Sequence, residues 1–340
     1  MRFLSAAEVE ALLDLDALVD AVATAMADLS AGRASVPPRI AALVPEREAL
    51  LAAMPAFLPS TNALTTKLVS LFPQNRDRPT HQALICVFDP ASGTPTAVMD
   101  GRVITEARTA AGSALSARLL ARDDARTFAV VGTGAQARAH ARALVRDARV
   151  DRLVLTGRRP DAVEALADAL RRDLTGNGPA ALPGGRRLDV VVAPSVEDAV
   201  READVVSVAT HAAQPAIRRE WLRPGTHVTS VGFNSTGDGE VDGETVRDAV
   251  LVVETRSAAF AAPPTGAIEL VRAVERGLIP GPEHARAEIG ELVAGTVTGR
   301  QDPAEITLYK SVGVAAQDAA AAMLVLRAAE ARGTGAMIEL

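Results

Sequence analysis

A strand–turn–helix segment near the middle of the chain constrains its fold more than any other part of the sequence. The apolar residues 128–131 lead into a G-x-G-x-x-A turn at residues 132–137, which opens an Ala- and Arg-rich helical stretch. In such a turn the first glycine, Gly132, permits a tight bend, and the second, Gly134, lets the backbone approach a pyrophosphate. The small third residue allows close helix–strand packing, and the helix N-terminus offers unpaired N–H groups to phosphate. A second apolar strand, Arg152–Thr156, follows where a βαβ unit requires one, so the segment predicts a dinucleotide site rather than a glycine-rich surface turn.

The residues after that second strand bear on which dinucleotide is bound. An NAD-selective site places Asp or Glu about 20 residues beyond the glycines, where it accepts hydrogen bonds from the ribose hydroxyls. Here Gly157, Arg158 and Arg159 follow the strand, with no carboxylate among them. A small residue followed by guanidinium groups suits a 2′-phosphate, which an Asp would repel. The sequence therefore favours NADP(H), bound in part by these three residues, and leaves NAD(H) as the alternative if both arginines are solvated loop charges.

Composition excludes several classes of function. The 340 residues, 48% of them apolar and 23% charged, are enough for two globular domains. A net charge of −6 argues against a nucleic-acid-binding surface, and no apolar stretch is long enough to span a bilayer. The five histidines show no metal-ligand spacing, so no metal is expected. The N-terminus lacks the pattern of a signal peptide, which predicts a cytoplasmic protein.

The order of sequence patterns predicts an α/β protein. Short apolar runs at residues 188–192, 205–209, 227–231 and 250–253 alternate with helical segments or turns, which indicates a Rossmann-type doubly wound parallel sheet. Strand patterns at residues 66–71 and 82–88 precede it, and an Ala-rich helix at residues 315–331 follows it. We expect a first, α+β domain at residues 1–115, completed by about residues 312–340, and a Rossmann dinucleotide-binding domain at residues 116–311.

Three cationic residues of the first domain are candidates for binding a ligand. Arg39 follows Val36-Pro37-Pro38, an extended lead-in that would hold its guanidinium in place. Lys67 lies within a predicted strand, and Arg108 is surrounded on its helix by small residues that leave room for a ligand. Taken singly, each residue could equally be a solvated surface charge or part of a structural ion pair.

Short motifs spread along nearly the whole chain resemble the ornithine cyclodeaminase/μ-crystallin family. They are P-P-R at residues 37–39, M-P at 54–55, T-K-L-V at 66–69, P-T at 79–80, T-E-A-R-T-A-A at 105–111, the glycine turn, and S-V-G at 311–313. The resemblance implies a substrate-binding and dimerisation domain joined to a Rossmann domain, and therefore a homodimer. It also implies NAD(P)-dependent chemistry on a small imine or amino acid that carries a carboxylate.

The same resemblance implies roles for individual residues. Arg39 and Lys67 would hold the substrate carboxylate, with Lys67 beside the reacting carbon and Val312 beside the substrate. Thr80 and Arg108 would line the cofactor's phosphates and the substrate pocket. Further cofactor contacts would come from Ala135, Gln136, Thr210, Ser230, Val231 and Gly237.

Two departures from the family pattern argue against one of its reactions. Ornithine cyclodeaminases carry an Asp in a G-x-D turn that handles protons at the substrate amine, and this chain has Asn234 there. An Asn cannot accept a proton at neutral pH, although it can orient a nitrogen by hydrogen bonding. Those enzymes also place a Glu two residues before the M-P pair, where this chain has Ala52. Asp238 and Glu240 lie near Asn234 in the sequence, which does not reveal whether either replaces the missing Asp.

These observations predict an NADP-preferring oxidoreductase that reduces a small cyclic α-imino acid, a ketimine, by hydride transfer. Lys67 and Asn234 are the expected catalytic residues, and Arg39, Lys67, Arg108 and Val312 are the expected substrate contacts. One alternative is a cyclodeaminase-type ammonia lyase or an amino-acid dehydrogenase resembling alanine dehydrogenase. A further alternative is a non-catalytic NADPH-dependent binding protein, against which the presence of both Arg39 and Lys67 argues.

Overall fold

The chain divides into two compact units. The computed structural model describes residues 1–175, 182, 186–232, 236–263 and 265–339. Unit 1 contains Met1–Arg108 and Gly313–Leu340, and unit 2 contains Thr109–Val312. The division therefore falls within helix α3 (Gly101–Leu120) and again just after residue 312. Unit 1 is discontinuous in sequence, since both ends of the chain contribute to it.

Unit 1 is built on a seven-stranded sheet. Its strands lie in the order β15-β1-β6-β5-β4-β3-β2, with β1 and β6 parallel and every other neighbouring pair antiparallel. In chain order the strands are β1 (Arg2–Leu4), β2 (Ile40–Val44), β3 (Ala49–Leu58), β4 (Ala63–Leu71), β5 (His81–Phe88), β6 (Pro95–Asp100) and β15 (Ala336–Met337). A short 3₁₀ turn, Pro45–Arg47, joins β2 to β3.

The two faces of this sheet differ in what covers them. Alternate residues of β4, from Ala63 to Val69, are buried on the face that packs against helix α11 (Ala315–Arg332). Their neighbours, among them Leu68, point to the opposite face, where apolar side chains remain exposed. Helix α2 (Leu15–Ser30) packs on α11 and completes the covered layer.

The N-terminal helical segment is two helices. Ser5 and Glu8 form a capping box at the start of helix α1 (Ala6–Leu12). The apolar spacing continues to residue 29, but the helix does not, because the Asp14 side chain accepts hydrogen bonds from the backbone of residues 16 and 17 and starts α2.

Unit 2 is a parallel sheet with helices on both faces. Its eight strands lie in the order β13-β12-β14-β11-β10-β7-β8-β9, and all neighbours are parallel. They are β7 (Thr127–Val131), β8 (Arg152–Thr156), β9 (Asp189–Val192), β10 (Val205–Val208), β11 (His227–Ser230), β12 (Val250–Val253), β13 (Ala287–Glu288) and β14 (Thr307–Lys310). The strand order reverses between β7 and β10, which is where such sheets bind ligands. The predicted α/β class with a doubly wound parallel sheet is confirmed.

Apolar side chains of unit 2 alternate between two cores. Ala129 and Val131 of β7 pack into one core, whereas Phe128 and Val130 pack into the other. The helices are the later part of α3, α4 (Ala135–Leu144), α5 (Pro160–Thr175), α6 (Val196–Glu202), α7 (Gly243–Asp248), α8 (Arg256–Ala259), α9 (Ile268–Glu275) and α10 (Ile289–Val293), with 3₁₀ turns at Arg219–Trp221 and Pro282–His284. None of the helices in the described ranges has the length and apolar character needed to cross a membrane.

Candidate functional site

The glycine turn of unit 2 has the shape that a pyrophosphate requires. Gly132 has φ +129°, and a Cβ on it would lie 2.5 Å from the carbonyl oxygen of Ala209. Gly134 is the N-cap of α4 without a side-chain hydrogen bond, and a Cβ on it would meet nothing within 4 Å. The first N–H groups of α4 are therefore uncapped and lie beside open space, as an anion site at a helix N-terminus requires. Ala135 is exposed, and the buried Oε1 of Gln136 has no donor among the described residues.

The arginines after β8 are available for a ligand. Gly157 is half-buried, and Arg158 and Arg159 are exposed. Within the described ranges the structure gives neither guanidinium group a hydrogen bond or an ion pair, in contrast to Arg152, which pairs with Asp189. Guanidinium groups of this kind can bind a phosphate.

A buried carboxylate network joins the carboxyl ends of β10, β11 and β14. We give this name to Glu240, Glu269, Lys310 and Ser230, which are all buried. The Lys310 ammonium is 2.8 Å from Glu269 Oε1 and donates to Ser230 Oγ (3.1 Å) and to the carbonyl oxygen of Gly232 (2.9 Å). Each of the three N–H groups of the Lys310 ammonium thus has an acceptor. This arrangement suits an ammonium better than a planar guanidinium.

Glu240 is the most heavily bonded carboxylate of this network. One oxygen accepts from the backbone N–H and the hydroxyl of Thr210, each at 2.8 Å. The other accepts from Ser230 Oγ (2.9 Å) and from the backbone N–H of Gly232 (2.5 Å). Burial raises the pKa of Glu240 above its ordinary value, Lys310 opposes this, and Glu269 adds to it. With both oxygens occupied, Glu240 fixes the loops after β10 and β11 and is poorly placed to act as a base.

The predicted cofactor residues of this region therefore surround one network. Thr210 and Ser230 bond directly to Glu240, and Val231 is the next residue along the chain. Gly237 accepts a hydrogen bond from Arg272, and its neighbour Asp238 pairs with Arg276. Asn234 lies outside the described residues, so its predicted role remains a prediction.

Unit 1 contains a second cluster, which holds the three cationic candidates; Lys67 and Arg108 are buried and Arg39 is half-buried. Lys67 points to the covered face of β4 and is 3% exposed. Its Nζ is 2.7 Å from Asp318 Oδ2, and Arg108 Nε donates to Asp318 Oδ1 at 3.0 Å. Arg39 Nη2 donates to the carbonyl oxygen of Gly313 at 2.6 Å. We call Arg39, Lys67 and Arg108 the cation cluster.

Burial and neighbouring charges shift the pKa values of Lys67, Asp318 and His81. Burial lowers the pKa of Lys67 to about 8, Asp318 opposes this, and Arg108 and Arg39 lower it further. Burial would raise the pKa of Asp318, but Arg108 and Lys67 hold it below its usual value. Burial, together with Lys67 and Arg108, lowers the pKa of His81 to about 4, so this residue is neutral at pH 7. Lys67 and Arg108 thus share the one charge of Asp318, an arrangement that suits an anionic ligand.

Thr80 and Val312 are the remaining predicted contact residues, and their hydrogen bonds run through the backbone. Thr80 is exposed just before β5, and its carbonyl oxygen accepts from the backbone N–H of Phe72 at 2.8 Å. Val312 is half-buried, and its backbone N–H donates to the buried Glu254 at 2.8 Å. The described residues bring no three His, Cys, Asp or Glu side chains together in a way that could hold a metal ion.

Comparison with known proteins identifies the family of the chain. The family model described as "Ornithine cyclodeaminase/mu-crystallin family" matches residues 1–333. Ketimine reductase mu-crystallin of Mus musculus is 33% identical over 331 residues, covering 95% of this chain and 96% of that protein. This chain belongs to the ornithine cyclodeaminase/mu-crystallin family. The predicted resemblance is confirmed.

Solved structures support the same conclusion. Thermococcus litoralis Δ¹-pyrroline-2-carboxylate reductase, in complex with NADH and L-proline, is 31% identical with a TM-score of 0.90, and the match covers 99% of this chain and 100% of that one. An archaeal alanine dehydrogenase dimer with bound NAD is 30% identical with a TM-score of 0.88, covering 100% and 99%. The ornithine cyclodeaminase/mu-crystallin fold thus extends over both units.

The sequence offered one signal for functional residues that motif reasoning missed. The chain has 34 arginines but only two lysines, Lys67 and Lys310, and both are fully buried beside carboxylates. Where a chain uses arginine almost throughout, a lysine marks a place where a compact, titratable ammonium is needed. Lys310 could have been found in this way. The acidic partners Asp318 and Glu269 could not, because nothing in their sequence neighbourhoods distinguishes them from surface acids.

Proposed function

We propose that this chain is an NAD(P)-linked oxidoreductase that reduces a small cyclic α-imino acid, with NADPH as the preferred hydride donor. The observation that carries the proposal is the cation cluster, in which the buried Lys67 and Arg108 share the carboxylate of Asp318. Such a cluster binds a carboxylate-bearing ligand. It also holds the pKa of Lys67 at about 8. The uncapped glycine turn of unit 2 fits the phosphates of a dinucleotide.

The residues of the cluster divide the work of binding and proton transfer. Arg39 and Arg108 hold the substrate carboxylate through charge-assisted hydrogen bonds. A nicotinamide cofactor, held by the glycine turn, would supply the hydride that reduces the imine carbon. Lys67 donates a proton to the imine nitrogen, so that the C=N bond becomes an amine, and the neutral lysine then takes a proton from solvent. A pKa of about 8 leaves Lys67 mostly protonated at pH 7 yet able to release its proton. Asn234 is proposed to orient the nitrogen.

The surroundings of Lys67 favour an uncharged substrate side chain. Its cross-strand neighbours in the sheet are Met54 on β3 and Ile85 on β5, both buried and apolar. Ala52 lies on the same face of β3, two residues before Met54. A diamine such as ornithine needs a carboxylate for its distal ammonium, and an alanine cannot provide one. The apolar ring carbons of a pyrroline or piperideine carboxylate pack against these side chains without burying an unpaired charge.

The preference for NADPH rests on the arginines after β8. Arg158 and Arg159 are exposed and make no ion pair within the described ranges, and residues 157–159 contain no carboxylate that could accept a hydrogen bond from a ribose hydroxyl. A 2′-phosphate satisfies both guanidinium groups.

We further propose a homodimer formed through the open face of the unit 1 sheet. Ile40, Leu51, Leu68 and Leu84 lie on this face and are 71%, 52%, 37% and 48% exposed. Ile40 pairs with Ala53, Ala53 with Leu68 and Leu68 with Leu84, so the apolar side chains form a row across four strands. A continuous apolar surface of this kind marks an interface, and the archaeal alanine dehydrogenase is a dimer.

A spectrophotometric assay of NADPH and NADH against cyclic ketimines and against 2-oxo acids with amines tests the proposal. We expect oxidation of NADPH with pyrroline-2-carboxylate or piperideine-2-carboxylate. Lys67→Ala should abolish turnover and retain NADPH binding. Release of ammonia and proline from ornithine with NAD, without ketimine reduction, would show instead a cyclodeaminase. NADPH binding without turnover of any compound would indicate a binding protein.

A further inference from the structure

Two adjacent residues at the start of α11 contact the cation cluster and were assigned no role from the sequence. Asp318 and Gln317 lie in the first turn of this helix, and both are at most 1% exposed. They reach the cluster from a part of the chain that is 210 residues away from Arg108 in sequence. A buried Asp and a buried Gln in an otherwise Ala-rich stretch need a reason, because each must be desolvated on folding.

Asp318 divides its two oxygens between two cations. Oδ2 faces the Lys67 ammonium at 2.7 Å, and Oδ1 accepts from Arg108 Nε at 3.0 Å. This carboxylate thus fixes the direction of both side chains and separates two like charges that would otherwise repel each other in a buried setting.

Gln317 accepts a hydrogen bond from a second nitrogen of Arg108, and its own side-chain nitrogen is a donor without an acceptor among the described residues. Its Oε1 accepts from Arg108 Nη1 at 3.0 Å, which decides the orientation of the amide, because an arginine nitrogen can only donate. Gln317 Nε2 is then buried with no acceptor among the described residues. A buried donor without an acceptor costs about 1–3 kcal/mol, and folded proteins rarely leave one unless water or a ligand meets it.

We propose that Gln317 and Asp318 belong to the ligand site, where Asp318 is a positioning residue that orients Lys67 and Arg108, and the Gln317 side-chain N–H donates to the bound anion. The nature of that anion, an imino-acid carboxylate, rests on the proposed function, whereas the effect of Asp318 on Lys67 does not. The ligand oxygen supplies the acceptor that Gln317 lacks.

The presence of only two lysines makes the first test direct. Protein labelled with [ε-¹³C]lysine gives two lysine signals, and Lys67→Arg assigns them by removing one. In the ligand-free protein the Lys67 signal should titrate with a pKa of about 8. Asp318→Asn keeps the shape but removes the charge, so this pKa should fall by roughly one to three units. Asp28→Asn, a buried aspartate of the same unit that pairs with Arg33, is the matched control and should leave it unchanged. An unchanged Lys67 pKa in Asp318→Asn would refute the positioning role.

A binding measurement tests Gln317. The probe is pyrrole-2-carboxylate, a planar analogue of a cyclic imino acid, titrated by calorimetry in the presence of NADPH. Gln317→Glu retains an acceptor for Arg108 but loses the donor and adds negative charge, so probe affinity should fall at least about tenfold. The Lys67 pKa should not fall in this variant. Unchanged affinity in Gln317→Glu would exclude Gln317 from the ligand site.

Failure of this inference is distinguishable from failure of the proposed function. If the wild type does not bind the probe, the imino-acid assignment fails, and the lysine titration still decides the role of Asp318. If Asp318→Asn does not fold, Asp318→Glu retains the charge and displaces the carboxylate. That variant should weaken probe binding while the Lys67 pKa stays near 8. Probe binding equal to the wild type would then count against a positioning role.

Discussion

At the scale of single residues, the chain uses lysine only where arginine would not serve. Lys67 combines a small ammonium with a pKa near neutrality, which a guanidinium cannot provide because it stays protonated in proteins. In the proposed reaction the neighbouring arginines bind the carboxylate and Lys67 delivers the proton.

Lys67 should set the upper pH limit of the reaction. Its pKa is lowered in the folded protein to about 8, so the ammonium that donates the proton is lost as the pH rises through that value. We expect kcat/KM for ketimine reduction to fall about tenfold per pH unit above about 8. Lys67→Arg should lower kcat by about 10²-fold or more and remove this limb of the profile. A retained limb in the variant would assign the titration to another group.

Arg158 and Arg159 should decide between the two nicotinamide cofactors. Replacing both with Ser removes the groups proposed to bind the 2′-phosphate, so the Kd for NADPH should rise by about tenfold or more and that for NADH should hardly change. Fluorescence titration of the bound nicotinamide measures both constants. Arg172→Ser, at another exposed arginine near the end of α5, is the matched control. Equal weakening of NADH and NADPH would contradict a 2′-phosphate contact.

At the scale of single elements, the glycine turn offers two substitutions with opposite expected effects. Gly132→Ala places a Cβ 2.5 Å from the Ala209 carbonyl oxygen at φ +129°, so it should lower the thermal midpoint and weaken the fold. Gly134→Ala meets nothing within 4 Å at φ −84°, so the fold should remain as stable. The added methyl group occupies the space in front of the α4 N-terminus, and NADPH affinity should therefore fall. Thermal melts and NADPH titrations separate the two effects.

Helix α3 is tied to the sheet of unit 2 through a buried, neutral histidine. Ser116 Oγ donates to the carbonyl oxygen of Ser113, so His227 Nε2–H donates to Ser116 Oγ at 3.1 Å. His227 Nδ1 then accepts from Thr307 Oγ1 at 2.8 Å. Burial, with Arg300 and Arg149 nearby, lowers the pKa of His227 to about 3. The bonding pattern has no place for a second ring proton.

This histidine should destabilise the protein in acid. Because its folded pKa lies below the unfolded value of about 6.5, the unfolded chain binds the extra proton first, and stability falls as the pH drops from about 6.5 towards 3. His227 alone should contribute a slope of about 1.4 kcal/mol per pH unit in the free energy of unfolding. His227→Gln should show a smaller slope in denaturant titrations between pH 6 and about 4, whatever its stability at pH 7. The same slope in both proteins would show that His227 is not responsible.

The sequence predicted elements well where local patterns match the structure. Strands β8 and β12 lie where the apolar runs placed them, because each is a short apolar run buried on both faces. Strand β3 was not recognised, since its Ala-rich sequence and Pro55 resemble no strand pattern. In the site, the glycine turn and Lys67 followed from local motifs. Asp318 did not, because its partners are set by tertiary packing across 210 residues of chain.

At the scale of the whole molecule, the exposed apolar row of unit 1 is the proposed dimer contact. Leu68→Glu places a charge in the centre of the proposed dimer contact, so we expect a monomer by sedimentation velocity where the wild type is a dimer. Val274→Glu, at a similarly exposed valine of α9, is the matched control and should leave the dimer intact. A dimeric Leu68→Glu protein would place the interface elsewhere.

The discontinuity of unit 1 also affects when the cation cluster can form during synthesis. Lys67 and Arg108 leave the ribosome early, but their carboxylate lies on α11, near the end of the chain, after all of unit 2 has been made. Until then, both cations lack the partner that orients them. A nascent chain can therefore fold its parallel sheet and bind a nucleotide before it has an ordered anion site. The proposed anion site is therefore complete only once α11 has been synthesised.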